Sequence, residues 1–393
     1  MITIVKNLIE IYWDAIVEHR RWLHAHPELS EQEKDTAAYI AEALRGMGLN
    51  PVEHVGGYGV TALIEGELPG KCVGLRADFD ALPVTECTGL PFASQNPGVM
   101  HACGHDVHAA MLLGAARILC DLRPQLCGTV KLIFQPAEEM VGGADKMIAE
   151  GVLQNPRVGA VIGQHVEAAL GTGKIAFRED TIMASCDDFV ITIHGKGGHA
   201  AAPENAVDAI AIGAQVVSAL QQIVSRNVSP QDSAVITIGT VSGGTANNVI
   251  AETVEMAGTC RNLDPDIRNA MPGRIESIVR GVAEGMGATY TFDYEKGYPP
   301  VVNDAAMCDL LQRAATEAIG AENVVSLKKA SLGAEDFAFF AERVPSVFYR
   351  LGCLREGEKA WPLHNGHFNP DEDAMKTGIL VMTTAALRFL SGK

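Results

Sequence analysis

The chain contains no run of about 18 uncharged apolar residues, so no transmembrane helix is expected. It also lacks an apolar secretory stretch near the N-terminus, because Lys6, Glu10 and Asp14 interrupt the place where one would lie. These two absences predict a cytoplasmic protein. Positive charge is scarce: 31 Lys and Arg stand against 48 Asp and Glu, for a formal net charge of −17. Nucleic acid and anionic membrane both reward Lys and Arg, so neither is expected as a partner. An anionic substrate would be repelled at long range, and a carboxylate ligand would need a specific Arg or Lys close by. The nine cysteines, scattered from Cys72 to Cys353, include no Cys-x-x-Cys pair and form no disulfide-like framework. Most of them should be reduced, buried and small. Internal repeats and low-complexity segments are missing as well.

What is present is an ordinary globular composition, 47% apolar and 20% charged. A chain of 393 residues is long for one core, so two domains are expected. Residues 5–25 and 31–48 read as helices, and Ser30 with Glu33 has capping-box spacing, which makes Ser30 the expected N-cap of the second. Residues 71–77, 128–135 and 158–164 read as buried strands, and residues 105–122 as a helix. This alternation predicts an α/β domain with a mainly parallel sheet. From about residue 186 the pattern becomes strand, helix, two strands, helix, strand: 189–193, 205–226, 234–238, 253–257, 265–286 and 288–294. That order is the split arrangement of a ferredoxin-like α+β domain. After Pro299-Pro300 the helix–strand pattern resumes. The expected organisation is a domain formed by 1–185 and 298–393, interrupted by an inserted domain, 186–297.

In open α/β sheets, ligands bind outside the carboxyl ends of the strands. The first strand runs into Asp78 and Asp80, the second into Glu138 and Glu139, and the third into His165; between the first two lies Met100-His101-Ala102-Cys103-Gly104-His105-Asp106-Val107-His108. Imidazole, carboxylate and thiolate together suit first-row divalent ions. Taken singly, each has a plainer reading. His165 could be a hydrogen-bonded core histidine, Cys103 buried filler, Glu138-Glu139 a solvated loop, and Asp78 and Asp80 helix caps. Their coincidence at successive strand ends favours a metal site. Neighbours on a regular strand face opposite ways, so Glu138 and Glu139 can serve one site only if the ladder breaks, which Pro136 provides for. One carboxylate could then bind metal while the other stays free as a base.

These segments resemble the amidohydrolase branch of the aminoacylase/carboxypeptidase metallopeptidases, which includes hippurate hydrolases, N-acyl-amino-acid amidohydrolases and plant auxin-conjugate hydrolases. The resemblance rests on Arg21-Trp22-Leu23-His24-Ala25-His26-Pro27-Glu28-Leu29-Ser30, Gly74-Leu75-Arg76-Ala77-Asp78-Phe79-Asp80-Ala81-Leu82-Pro83 and Met100-His101-Ala102-Cys103-Gly104-His105-Asp106. Phe134-Gln135-Pro136-Ala137-Glu138-Glu139, Gly195-Lys196-Gly197-Gly198-His199-Ala200-Ala201, Asn248-Val249-Ile250 and Gly333-Ala334-Glu335-Asp336-Phe337 extend it over nearly the whole chain. It implies two divalent ions per subunit (Mn, Zn, Ni or Co), held by Cys103, His105, Glu139, His165 and His364, with Cys103 bridging them. It further implies Glu138 as general base and Asp80 as a residue that orients the site. His199 would reach the partner subunit's active site and steady the oxyanion, while Asn248 and Arg261 would hold the substrate carboxylate, an Arg fork meeting the need set by the acidic charge. The implied substrate is a small N-acyl amino acid of the hippurate type, and the inserted domain is expected to mediate a homodimer or higher homo-oligomer. Ala251, Glu204, Leu332 and Asn365-Gly366 depart from the common pattern; they bear on the substrate pocket rather than on the ligands. Three alternatives stand beside this reading: a dipeptidase or aminopeptidase of the same fold, a thiol amidase using Cys103 beside His105, and a non-catalytic binding protein.

Overall fold

A computed structural model describes residues 1–140 and 142–392. They divide into two compact units, one of Met1–Ile182, Val302–Lys329 and Asp336–Lys393, the other of Met183–Val301 and Ala330–Glu335. The short segment Ala330–Glu335 thus clusters with the second unit, although it follows the point where the helix–strand pattern of the first resumes.

The first unit is built on an eight-stranded sheet in the order Val52–Val55, Gly59–Glu65, Cys127–Gln135, Leu68–Asp78, Ala160–Gly171, Ser346–Leu354, Ile175–Phe177, Val324–Ser326. Its four middle strands run parallel. Apart from the exposed start of Leu68–Asp78 and the more open end of Ala160–Gly171, they are buried nearly throughout, as parallel strands covered on both faces must be. The helix His105–Asp121 is buried over nearly its whole length, packed beside the helices Ile2–Ala25 and Ala374–Ser391. Small residues allow this: a Cβ at Gly114 would lie 2.8 Å from Ile379 and 3.0 Å from Ile16. From Leu68–Asp78 the chain crosses through His105–Asp121 to Cys127–Gln135 on one side, then returns to Ala160–Gly171 on the other. The strand order therefore reverses beside Leu68–Asp78, and a crevice opens at such a switch point.

Two expectations are corrected here. The second helix spans Lys34–Gly46, with Glu33 at its N-cap position and no side-chain cap. Its first-turn N–H groups at Asp35 and Thr36 donate to Glu28 instead, which frees Ser30 for another partner. His165 does not follow its strand but lies within it, because Ala160–Gly171 continues past the end of Leu68–Asp78 by pairing with Ser346–Leu354.

The second unit has a four-stranded antiparallel sheet, ordered Ala234–Gly243, Thr253–Asn262, Asp187–His194, Thr289–Lys296. The inward residues Phe189, Ile191, Ile193, Val254 and Met256 form a core with residues of the helices Ala209–Gln222 and Pro265–Gly285. This is the ferredoxin-like arrangement. Asp208 and Asp264 cap the two helices with their carboxylates, so the first starts at 209 rather than 205. It passes into a wider turn at Ile223–Asn227. Among the described residues, no helix is long and apolar enough to cross a membrane.

Candidate metal centre

The site is built where the parallel strands end. Leu68–Asp78 delivers Asp78 and, two residues on, Asp80. Cys127–Gln135 stops before Pro136, and Ala137 adopts φ 53°, so Glu138 and Glu139 leave the strand alternation together. Cys103 precedes the helix His105–Asp121, joined to it by Gly104 at φ 85°. A side chain at Gly104 would meet Val166 Cγ2 at 2.6 Å, so both the backbone angle and the close approach call for glycine. His364 comes from the loop before the last helix; its φ is 62°, and its N–H donates to the Ala102 carbonyl at 2.8 Å. That conformation is uncommon for a non-glycine residue.

All five ligand candidates of the first unit come together. Donor atoms of Cys103, His105 and His165 lie within 4.8 Å of one another, as do those of Cys103, Glu139 and His364, and those of His105, Glu138 and Glu139. Cys103 Sγ is 3.3 Å from His165 Nε2. His105 Nε2 is 3.8 Å from Glu139 Oε1, and His364 Nε2 is 3.5 Å from the same oxygen. The rear atoms are committed elsewhere: His165 Nδ1–H donates to the Val166 carbonyl at 2.7 Å, and His105 Nδ1–H donates to Asp80 Oδ1 at 3.1 Å. Each ring is thereby held with Nε2 facing the cluster, as outer partners do for metal-binding histidines. His105 Nε2 and Glu139 Oε1 are buried with no hydrogen-bond partner. Such orphaned atoms are costly unless something else satisfies them.

The electrostatics agree. Burial pushes the Cys103 thiol well up, and Glu139 adds to the shift. Burial likewise raises Glu139, against the pull of His105 and His364. Burial alone would lower His105, but Asp78, Cys103 and Asp80 hold it well above its ordinary value. His165, by contrast, is pushed well below its ordinary value by burial and by His108 and Arg350, which keeps it neutral. Acids and a thiol crowded this closely hold protons that a divalent cation would replace. The chemistry of this donor set therefore fits first-row divalent ions.

A second grouping, Asp78, His105 and His108, also has ligand-type spacing. His108 is already used at both nitrogens, donating to Asp78 Oδ1 at 2.5 Å and accepting the Val166 N–H at 2.9 Å. It acts as a brace between two strands. Arg76 completes that brace, reaching Gln135 at 2.8 Å, Asp78 at 2.6 Å and Asp336 at 2.9 Å, all fully buried. Burial would raise Asp78, but Arg76, His105 and His108 hold it well below the usual carboxylate range. His101 also lacks partners, but it joins none of the ligand groupings among the described residues, and burial lowers it to about 4.

Sequence patterning points to Asp78 but not to its partners Arg76 and Asp336. An Arg inside an otherwise apolar strand was the available signal, since such a charge is buried only when paired. In the second unit, His199 and Asn248 are exposed neighbours: Val249 pairs with His199, and the Ala200 N–H donates to the Asn248 carbonyl at 3.1 Å. Arg261 is half-buried, and its guanidinium donates to the Thr259 hydroxyl and, at 3.1 Å, to the Cys260 carbonyl.

Comparison with known proteins agrees with this geometry. The model of peptidase family M20/M25/M40 matches residues 74–388. A Synechocystis sp. protein named probable hydrolase is 43% identical over 391 residues, 98% of each chain. An N-acyl-L-amino acid amidohydrolase of Geobacillus stearothermophilus is 46% identical over 300 residues, 76% of this chain and 80% of its own. Among solved structures, a dinuclear metal-binding peptidase of the M20 family from Bacillus subtilis superposes with a TM-score of 0.86 at 35% identity, covering 98% of this chain and 99% of that one.

Proposed function

Because the chain belongs to peptidase family M20/M25/M40 and is a hydrolase of amide carbon–nitrogen bonds, we propose that it cleaves N-acyl amino acids of the hippurate type with two bound divalent ions. One observation carries this reading most: His105 Nε2 and Glu139 Oε1 stand buried and unpartnered among the donor atoms of Cys103, His165 and His364. The amidohydrolase from Geobacillus stearothermophilus supports the substrate class, and the dinuclear peptidase from Bacillus subtilis supports the number of ions.

Cys103, His105, Glu139, His165 and His364 would hold the ions, which are Mn, Zn, Ni or Co in this proposal. Such ions supply a lowered water pKa and polarise the amide carbonyl. Glu138, buried beside Glu139, takes the proton of the attacking water and returns it to the leaving amine. Its Oε1 also accepts the Asp336 N–H at 3.4 Å, which helps to orient the carboxylate. Asp80 keeps His105 turned toward the cluster. In the second unit, read as a lid and dimerisation domain, His199 is assigned to the oxyanion and Asn248 and Arg261 to the substrate carboxylate. The working assembly is a homodimer or higher homo-oligomer in the cytoplasm, a setting that suits nine free cysteines.

A thiol amidase is disfavoured, because burial and Glu139 push Cys103 up, whereas a nucleophilic cysteine needs its pKa brought down. The deciding experiment strips the protein with a chelator and offers hippurate, other N-acyl amino acids and dipeptides with and without Mn or Zn. Metal-restored hydrolysis of the acyl amino acids is expected. Metal-restored cleavage of dipeptides alone would make it a peptidase.

A further inference from the structure

Ser30 and Glu33 have the spacing of a helix cap, yet both side chains turn elsewhere. The Ser30 hydroxyl donates to Asp80 Oδ2 at 2.7 Å. Asp80 is a junction: its Oδ1 accepts the His105 Nδ1–H at 3.1 Å, and its Oδ2 also accepts the Glu139 N–H at 3.0 Å. Glu33 Oε1 accepts the Ala137 N–H at 2.8 Å, at the positive-φ residue that turns the chain into Glu138 and Glu139. Upstream on the same segment, Arg20 and His24 hold Asp106, the neighbour of His105, at 3.0 and 2.8 Å. Backbone contacts tie the segment down further, with the Ala81 N–H donating to the Glu28 carbonyl at 2.8 Å and the Asn96 side-chain amide donating to the Pro27 carbonyl at 2.7 Å.

One continuous stretch of chain therefore touches the turn before the base, the acid behind two ligand candidates, and the first turn of the ligand-bearing helix. Glu33 makes the point sharply. It is fully buried, has no ion-pair partner among the described residues, and leaves Oε2 unpartnered. What its carboxyl does make is the hydrogen bond from the Ala137 N–H, at the turn into Glu138 and Glu139.

We propose that Arg20–Glu33 is a positioning strap for the metal centre, in which Ser30 holds the Asp80 carboxylate that orients His105 and the Glu139 backbone, and Glu33 holds the turn that aims Glu138. Ser30 and Glu33 are positioning residues and act through Asp80 and Ala137. The inference rests on the di-metal amidohydrolase reading, so its test includes a measurement that needs no substrate.

Full-length protein is freed of metal and titrated with Mn²⁺ or Zn²⁺ in competition with a chromophoric chelator. Ser30→Ala acts only through Asp80 and is expected to weaken metal binding by about 10-fold, the lower end of what losing a ligand's own outer partner costs, with the melting temperature of the metal-free protein unchanged. Ser30→Thr, which keeps the hydroxyl, is expected to restore it. At saturating metal, Glu33→Ala, which acts only through the Ala137 turn, is expected to lower kcat by about 10-fold with KM unchanged, and Glu33→Gln, which keeps the acceptor, to recover most of it. Wild-type metal affinity in Ser30→Ala overturns the strap, and so does a loss that merely follows melting temperature. If Glu33→Ala does not fold, the two Ser30 variants decide alone. If the wild type cleaves no acyl amino acid, the functional reading fails while the metal titration still judges the strap; a wild type that binds no divalent ion overturns both.

Discussion

Asp187 in the second unit and Glu139 in the first are both acids set into a protein interior, and they differ in how completely they are paired. Asp187 accepts from Arg268 Nε at 3.0 Å, from its second guanidinium nitrogen at 2.8 Å, from the Tyr294 hydroxyl at 3.1 Å and from the Gly297 N–H at 3.1 Å. Both of its oxygens are used, so the cluster is closed. Glu139 shares its neighbourhood with Cys103, His105 and His364, but Oε1 has no hydrogen-bond partner, nor does the facing His105 Nε2. Complete pairing marks a fixed piece of the fold; incomplete pairing among ligand-type atoms marks capacity for something bound. Substitutions in the two clusters should therefore fail in different ways.

The largest effect is expected from Glu138→Gln. Removing a general base should lower kcat by about 10²–10⁴-fold, while elemental analysis finds the metal content of the wild type. Substantial remaining turnover would remove Glu138 from that role. Asp187→Ala should cost about 3–5 kcal/mol of stability by leaving Arg268 buried and unpaired. Urea unfolding measures the loss, and metal affinity per folded protein should not move; a change there would blur the contrast between the clusters. Cys103→Ser should do the reverse, raising the metal dissociation constant by at least about 10-fold with little change in urea unfolding of the metal-free protein.

The smallest effect concerns pH. Burial, aided by Asp80, raises Glu33 from 4.5 to about 7 against the backbone hydrogen bonds it accepts. A carboxyl raised in the folded state favours the protonated form, so metal-free stability should fall as pH climbs from about 4.5 to about 7 and then level off. The loss should be on the order of 1–3 kcal/mol. Glu33→Gln should flatten that slope in urea melts at pH 5 and pH 8. An unchanged slope would place the dependence on another group.

Much of the architecture was legible in the residues. The unbroken apolar strands, the helix entered through Gly104 and the change of periodicity near residue 186 each reflect a local rule: parallel strands are buried on both faces, and half-exposed strands alternate. The strands Val52–Val55 and Gly59–Glu65 are not legible in the sequence, because short strands next to glycines leave little periodic signal. Cys103, His105, Glu139 and His165 are visible as residue types at or between strand ends, whereas His364 and the roles of all five come only from the motif resemblance. The direction of Ser30 was not visible. Its spacing from Glu33 satisfies the capping rule equally well whether or not the helix uses it.

Residue order alone determined which atoms could gather: apolar runs long enough to build the sheet, and acids, imidazoles and a thiol where those runs stop. Tertiary structure alone decided which of them are spent. His108 and His105 sit one helical turn apart on the same helix, yet His108 is consumed by Asp78 and the Val166 N–H, while His105 keeps Nε2 open. Hydrogen-bond capacity belongs to the side chain, but its use depends on partners brought from strands and loops distant in sequence, and local propensity carries no record of them.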